Sequence, residues 1–268
     1  MKKQFNKYFR ILIILTVFST GCSKSNNYLP GYIEGEYTYI SSGVDGTLFN
    51  LAVQRGQTVN KGDLLYQLDP QPEKANVNVI ISNIGNQQAQ VNFARVHLAR
   101  IQELFNKNAT FKEDLDAAQT DYDSKLHQLA AYQSQLIQTQ WALNQKTMSA
   151  PVNGYVFDTF YRLGEKVAAN HPVLAILAPE NIKVLFYIPE TQLSQIKLGE
   201  QITFSCDSCT NKTAATISYI SPQAEYTPPI IYSKDTRYKL VYLIRASMPV
   251  NIAQNFHPGQ PIDVYLNP

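Results

Sequence analysis

Between about residues 73 and 147 the apolar positions fall on a seven-residue step. Val77, Ile84, Val91, Leu98 and Phe105 make one series, and Ile80, Gln87, Ala94 and Ile101 stand at the companion position three residues on. After a polar break from Asn106 to Phe111 the step resumes at Leu115, Tyr122, Leu129, Leu136 and Leu143. Ala118 and Tyr132 are its companions, and Lys125 is the misfit. The segment has no proline and a single glycine, Gly85. A seven-residue step keeps an apolar stripe on one side of a helix, so two such stripes around a short turn predict an antiparallel helical hairpin. Each arm has about 35 residues, or roughly 50 Å. The remaining positions are rich in amides: Asn86, Gln87, Gln88, Gln90, Gln133, Gln135, Gln138 and Gln140 are read as outward-facing. Polar, nearly uncharged flanks suit packing beside further copies.

The hairpin interrupts a repeat. S-S-G-V-D-G-T-L at 41–48 matches S-A-P-V-N-G-Y-V at 149–156. Gly46 aligns with Gly154, Gly56 with Gly164, Val59 with Val167, Leu65 with Val173 and Leu68 with Ile176, all at one offset of 108 residues. Each copy reads as short strands punctuated by turns, with Asp45-Gly46 and Asn153-Gly154 as turn dipeptides. One copy is too short to close a core, so two facing copies are expected to form a small flattened barrel. Beyond residue 181 the pattern is again β, with strands expected at 182–188, 202–204, 215–220, 238–246 and 262–266, and one or two helical turns at 189–196. Such short strands predict a small closed barrel.

Composition narrows the function. A hydrophobic share of 44% permits a core, the charged share is 16% and the net charge is +2 over 268 residues. Lys and Arg form no block outside the N-terminus, so nothing points to nucleic acid. At that terminus Lys2, Lys3, Lys7 and Arg10 precede an apolar run, Ile11 to Phe18, too short to span a membrane. Ser19, Thr20 and Gly21 then lead to Cys22, which resembles a bacterial lipobox with Ser19 where leucine is usual. Cys22 is therefore the expected lipid attachment site, with residues 23–35 as a tether.

Acylation of Cys22 leaves Cys206 and Cys209 in C-D-S-C between two strand-like runs. In an oxidising compartment a disulfide at a hairpin tip is the plain reading. A redox pair would want a βαβ setting, and zinc would want two more ligands nearby. His97, His127, His171 and His257 are isolated. No G-x-S-x-G, phosphate-loop or H-E-x-x-H motif occurs, and Asp63 and Asp69 form no acid–base pair. No catalytic residue, metal or cofactor is assigned.

Half-motif, helical hairpin, half-motif and β-barrel resembles the plan of the HlyD-type membrane-fusion proteins over residues 36–268. The stretches that carry the likeness are G-V-D-G-T-L…V-Q-R-G-Q-T-V-N-K-G-D-L-L-Y-Q-L-D and S-A-P-V-N-G-Y-V…R-L-G-E-K-V. The halves resemble a lipoyl or biotinyl carrier cut in two. In such carriers the modified lysine sits at a tip that the rod here replaces, and Lys61 lies in another turn. The resemblance implies an elongated α+β chain: signal segment 1–22, tether 23–35, half-motif 36–72, hairpin 73–147, half-motif 148–180 and β-barrel 181–268. It also implies a periplasmic adaptor in a Gram-negative cell, joining an inner-membrane transporter to a TolC-type outer-membrane channel, in a ring of copies, often six. The run A-E-Y-T-P-P-I-I-Y at 224–232 is similar to the barrel loop of adaptors of ABC-type exporters. Extra membrane-proximal residues of RND adaptors and the uncleaved spanning helix of major-facilitator adaptors are not recognised. In the family an Arg, a Leu four residues on and a Ser or Thr seven further dock the channel. Arg100 and Leu104 match, but the third position is Phe111, with Thr110 one residue early.

Overall fold

The computed structural model describes residues 28–207, 209, 211–226 and 240–266. Cys22 and the run 227–232 lie outside the described residues. The chain forms two compact units. One takes residues 35–182 with 250–255, and the other the remaining described residues.

The first unit holds the repeat and the hairpin. Copy one supplies β2 (Thr38–Ser41), β3 (Gly46–Leu51), β4 (Thr58–Val59) and β5 (Leu64–Leu68). Copy two supplies β6 (Thr147–Ser149), β7 (Gly154–Thr159), β8 (Lys166–Val167) and β9 (Pro172–Leu177). The sheets run β2-β9-β7-β4 and β6-β5-β3-β8. Exchanging the copies turns one order into the other, so each sheet is completed by strands of the other half. Neither copy alone supplies a complete sheet. Leu48, Val59, Leu65 and Leu68 and their counterparts Val156, Val167, Val173 and Ile176 are all buried in one core. Each is worth about 1.5–3 kcal/mol by removal from water.

Gly46 and Gly154 are not turn residues, as their dipeptides suggested. Each opens a strand, β3 or β7, and neither has positive φ. They are glycines for space: a Cβ on Gly154 would lie 2.5 Å from the Leu177 carbonyl oxygen, and one on Gly46 would lie 2.9 Å from Lys146 Nζ.

Tyr66 is buried in the same core, and its hydroxyl has no hydrogen-bond partner among the described residues. Burial pushes its phenol well above the usual range. An unsatisfied buried hydroxyl costs about 1–3 kcal/mol. Tyr66→Phe is therefore expected to raise the thermal midpoint of the unit in calorimetry, by about 1 kcal/mol in stability; a lower midpoint would contradict this account.

From β5 the chain enters α1 (Gln71–Asn106), turns, and returns as α2 (Lys112–Asn144). The seven-residue series marks the seam: Ile80, Gln87, Val91, Ala94 and Ala118 are buried, and the other stripe positions are half-buried. Gln87 departs from its outward reading. It is buried, and its Nε2 donates to the Lys125 carbonyl at 3.0 Å. The two polar residues that broke the stripe thus lie in one layer. A polar group in a coiled-coil seam fixes register at some cost in stability.

The second unit is a closed barrel in the order β1-β10-β13-β12-β11-β14. Its strands are β1 (Leu29–Gly35), β10 (Ile182–Pro189), β11 (Gln201–Ser205), β12 (Thr213–Tyr226), β13 (Leu240–Ser247) and β14 (Pro261–Leu266). A one-turn helix, α3 (Val250–Ala253), follows β13 but belongs to the first unit. Phe186, Ile188, Phe204, Ile244 and Val264 fill the barrel.

Residues 29–35, read as the end of a tether, form β1 instead. Leu29 pairs with Val264 and Tyr32 with Pro261. Ile33 is fully buried, and Glu34 accepts two hydrogen bonds from Arg245, at 2.6 and 3.3 Å. Pro30 and Gly31 disguised the strand. Gly31 is required because a Cβ there would meet the Leu185 carbonyl oxygen at 2.6 Å. Cys206 and Cys209 are disulfide-bonded between β11 and β12.

A helical rod with a locked root and an open tip

At the root, α1 starts after Pro70 with Asp69 Oδ1 accepting from the Gln71 amide at 3.0 Å. Glu73, in the first turn, is well placed for the positive end of the helix dipole. Lys146 follows α2 and is only 3% exposed. Its ammonium donates to the Asp45 carbonyl at 2.7 Å and pairs with Glu73 Oε1 at 2.9 Å. Glu73 Oε2 is buried and has no hydrogen-bond partner among the described residues. One lysine therefore holds the start of α1, the end of α2 and the turn before β3. The surrounding bonds tighten the same joint. Leu68 N–H donates to the Lys146 carbonyl (2.8 Å), and the buried Ser42 hydroxyl donates to the Gln145 carbonyl (3.0 Å). Trp141 lies against Gly43, where a Cβ would come within 3.2 Å of the indole.

At the tip, α1 closes in a Schellman motif. Asn108 takes the left-handed position (φ 55°), its amide bonds the Phe105 carbonyl and the Ala109 amide bonds the Leu104 carbonyl, both at 2.9 Å. Asp114 caps α2. Its Oδ2 accepts the Thr110 hydroxyl at 2.5 Å and the Phe111 amide at 3.3 Å. The Thr110 hydroxyl first, and the Phe111 amide second, hold the Asp114 carboxyl below the ordinary carboxylate range. A carboxyl with a depressed pKa in the folded state contributes stability above its unfolded pKa and loses it as pH falls through the folded one. The cap should hold near neutrality and loosen below about pH 4. Amide NMR shifts of Thr110 and Phe111 should move in that window, and Asp114→Asn should flatten the change; no movement would contradict the cap.

Of the four tip residues singled out in the sequence, Arg100 and Leu104 lie one turn apart on α1, with Leu104 38% exposed. Phe111 is 81% exposed, and the Thr110 hydroxyl is committed to the cap. Of these four, Arg100 as a cation and Leu104 and Phe111 as apolar side chains are thus left open to solvent at the tip. Sequence reading missed Lys146, Asp114 and the exposed pair Phe93 and Val96. Lys146 carries no motif, because its partners lie at the far end of the hairpin and in the other half of the repeat. Asp114 could have been found as an acid three residues beyond a candidate cap position. Phe93 and Val96 could have been found as apolar residues off the seven-residue stripe. Among the described residues no helix is long and apolar enough to cross a membrane.

Residues 36–178 match the family model of the barrel-sandwich hybrid domain of RND membrane-fusion proteins. The chain is 31% identical over 222 residues to the uncharacterized protein YdhJ of Escherichia coli, covering 77% of this chain and 74% of YdhJ. It is 26% identical over 219 residues to the multidrug resistance protein MdtA of Salmonella typhimurium, covering 70% of this chain and 53% of MdtA. Among solved structures, the membrane fusion protein Spr0693 of Streptococcus pneumoniae superposes with a TM-score of 0.70 at 16% identity, over 90% of this chain and 98% of that one.

Proposed function

The chain belongs to the membrane-fusion proteins, the non-enzymatic periplasmic adaptors of efflux systems, and we propose that it joins an inner-membrane ABC-type exporter to an outer-membrane channel of the TolC type. The carrying observation is the rod: an open tip of Arg100, Leu104 and Phe111, held from a root that Lys146 locks to the split sandwich. Arg100, Leu104 and Phe111 contact the channel, while Thr110 serves the cap. Copies assemble into a ring, with six as the working number. Acylated Cys22 holds the chain to the inner membrane. The disulfide of Cys206 and Cys209 closes a hairpin and takes no part in chemistry.

The run 224–232 favours the ABC-type partner. The match to a model of RND membrane-fusion proteins favours an RND partner instead. Gentle solubilisation followed by affinity capture through a tag on this chain decides between them. Recovery of an ATP-binding transporter supports the proposal, and recovery of an RND pump moves the partner to that class. Anchoring has its own check: Cys22→Ser should shift the chain from the membrane to the soluble periplasmic fraction. Unchanged membrane fractionation, with no uptake of a fatty-acid label by the parent chain, would remove the lipid anchor.

A further inference from the structure

Three side chains cluster on the outside of the barrel where the N-terminal segment enters it. Tyr28, just before β1, and Tyr265, on β14, stand with ring centroids 6.3 Å apart. The Lys212 ammonium, from the chain just before β12, lies 3.3 Å over the centre of the Tyr265 ring. Both tyrosines are half-buried and Lys212 is exposed. Strand register explains the grouping. β14 lies between β1 and β11. Its Ile262 and Val264 are buried inside the barrel, so the alternate residues Asp263 and Tyr265 face outward.

Chain length bounds the distance from this cluster to a membrane. Cys22 stands six residues before Tyr28. Six residues, fully extended, span at most about 20–22 Å. With an acyl group on Cys22, Tyr28 cannot stand further than that from the lipid headgroups. Amphipathic rings beside an ammonium on a long stem suit a membrane–water interface: the rings lie at headgroup depth and the lysine reaches for phosphate. One lysine attracts an anionic surface only weakly, and Asp263 on the same face opposes it. The tether makes a weak contact sufficient. A short flexible link holds the cluster at an effective concentration of about millimolar, so the barrel does not have to be recruited from bulk solution.

We propose that this face of the barrel, with Tyr28, Tyr265 and Lys212, docks on an anionic lipid surface, the headgroup layer in which Cys22 is anchored. The proposal rests on the lipid-anchor reading and adds an orientation to it. β14 turns toward the bilayer, and β13, across the closed barrel from it, turns away. The occupant is the lipid surface because the tether brings this face to it whatever else binds the chain. The attraction of Lys212 is screened over about 8–10 Å at physiological salt. The contact should therefore weaken as salt rises, with the two rings left over.

The test uses the full acylated chain in phosphatidylcholine vesicles with and without phosphatidylglycerol. It carries p-benzoylphenylalanine at position 265, or at position 243 on β13. After irradiation, mass spectrometry reads phospholipid attached at the labelled position. Residue 265 should take up lipid and residue 243 should not, and phosphatidylglycerol should raise the yield at 265 severalfold. Lys212→Glu should lower that yield roughly tenfold, because it turns an attraction to the anionic surface into a repulsion. Its unfolding midpoint should not move, since Lys212 is exposed. No lipid at 265, equal yields at 265 and 243, or a yield unmoved by Lys212→Glu would overturn the docking. A crosslink in native membranes from 265 to a transporter subunit in place of lipid would overturn it too. Absence of a fatty-acid label on the chain removes the anchor, and the docking with it; a labelled chain with no lipid at 265 removes the docking alone.

Discussion

Lys146→Ala is expected to cost the hairpin-bearing unit about 3 kcal/mol, the low end of the range for removing one partner of a buried ion pair. The loss comes less from the missing attraction than from what stays behind. Glu73 keeps a carboxylate with one oxygen already unpartnered, and the Asp45 carbonyl loses its donor. Glu73 is still 19% exposed, so some water reaches it and the upper end of the range does not apply. The double replacement Lys146→Met with Glu73→Leu removes both charges and keeps the volume, so it should recover most of the loss. Urea unfolding followed by helical circular dichroism checks both. Equal losses in the single and double variants would mean that packing of the lysine stem, not charge, closes the root. The functional consequence follows from the joint. The single variant should lower export in proportion to the fraction of loosened rods, and the double variant should export normally.

The sequence carried much of the architecture for identifiable reasons. A coiled-coil seam imposes its period on the chain itself, so Val91, Leu98, Leu129 and Leu136 announced the rod without reference to anything distant. A duplicated sandwich repeats its core positions, so Leu48 and Val156 announced each other. The rest depended on partners remote in sequence. β1 is a strand only because β14 and β10 flank it, and its Pro30 and Gly31 read locally as a break. Gly154 looked like a turn because close approach to Leu177 leaves no local trace. Lys146 went unnoticed because Glu73 and Asp45 reach it only after the hairpin has folded back. The seam itself misled at Gln87 and Lys125: each alone is an exception to the stripe, and only the register of the two helices shows that they share a layer.

Arg100→Asp and Leu104→Asp are expected to abolish export while leaving the protein at normal levels and fully helical. Val91→Asp, some way down the same helix, is expected to unfold the rod. The contrast rests on burial. Val91 is buried in the seam, and a carboxylate there loses its hydration without gaining a partner. Leu104 is already 38% exposed, and the turn beyond it is closed by backbone bonds from Asn108 and Ala109 that need neither side chain. Charge is therefore tolerated by the tip as structure. As a contact surface it is not: a few residues carry most of an interface's energy, and a cation next to an apolar knob cannot be inverted without loss. The variants should still co-purify with the inner-membrane transporter and should no longer crosslink to the outer-membrane channel. Phe111→Ser, which removes the most exposed apolar group of the tip without adding charge, should weaken the crosslink by an intermediate amount. Loss of export accompanied by loss of helicity would assign Arg100 and Leu104 to folding. Full export by both charge variants would leave the rod as a spacer and move channel recognition elsewhere on the chain.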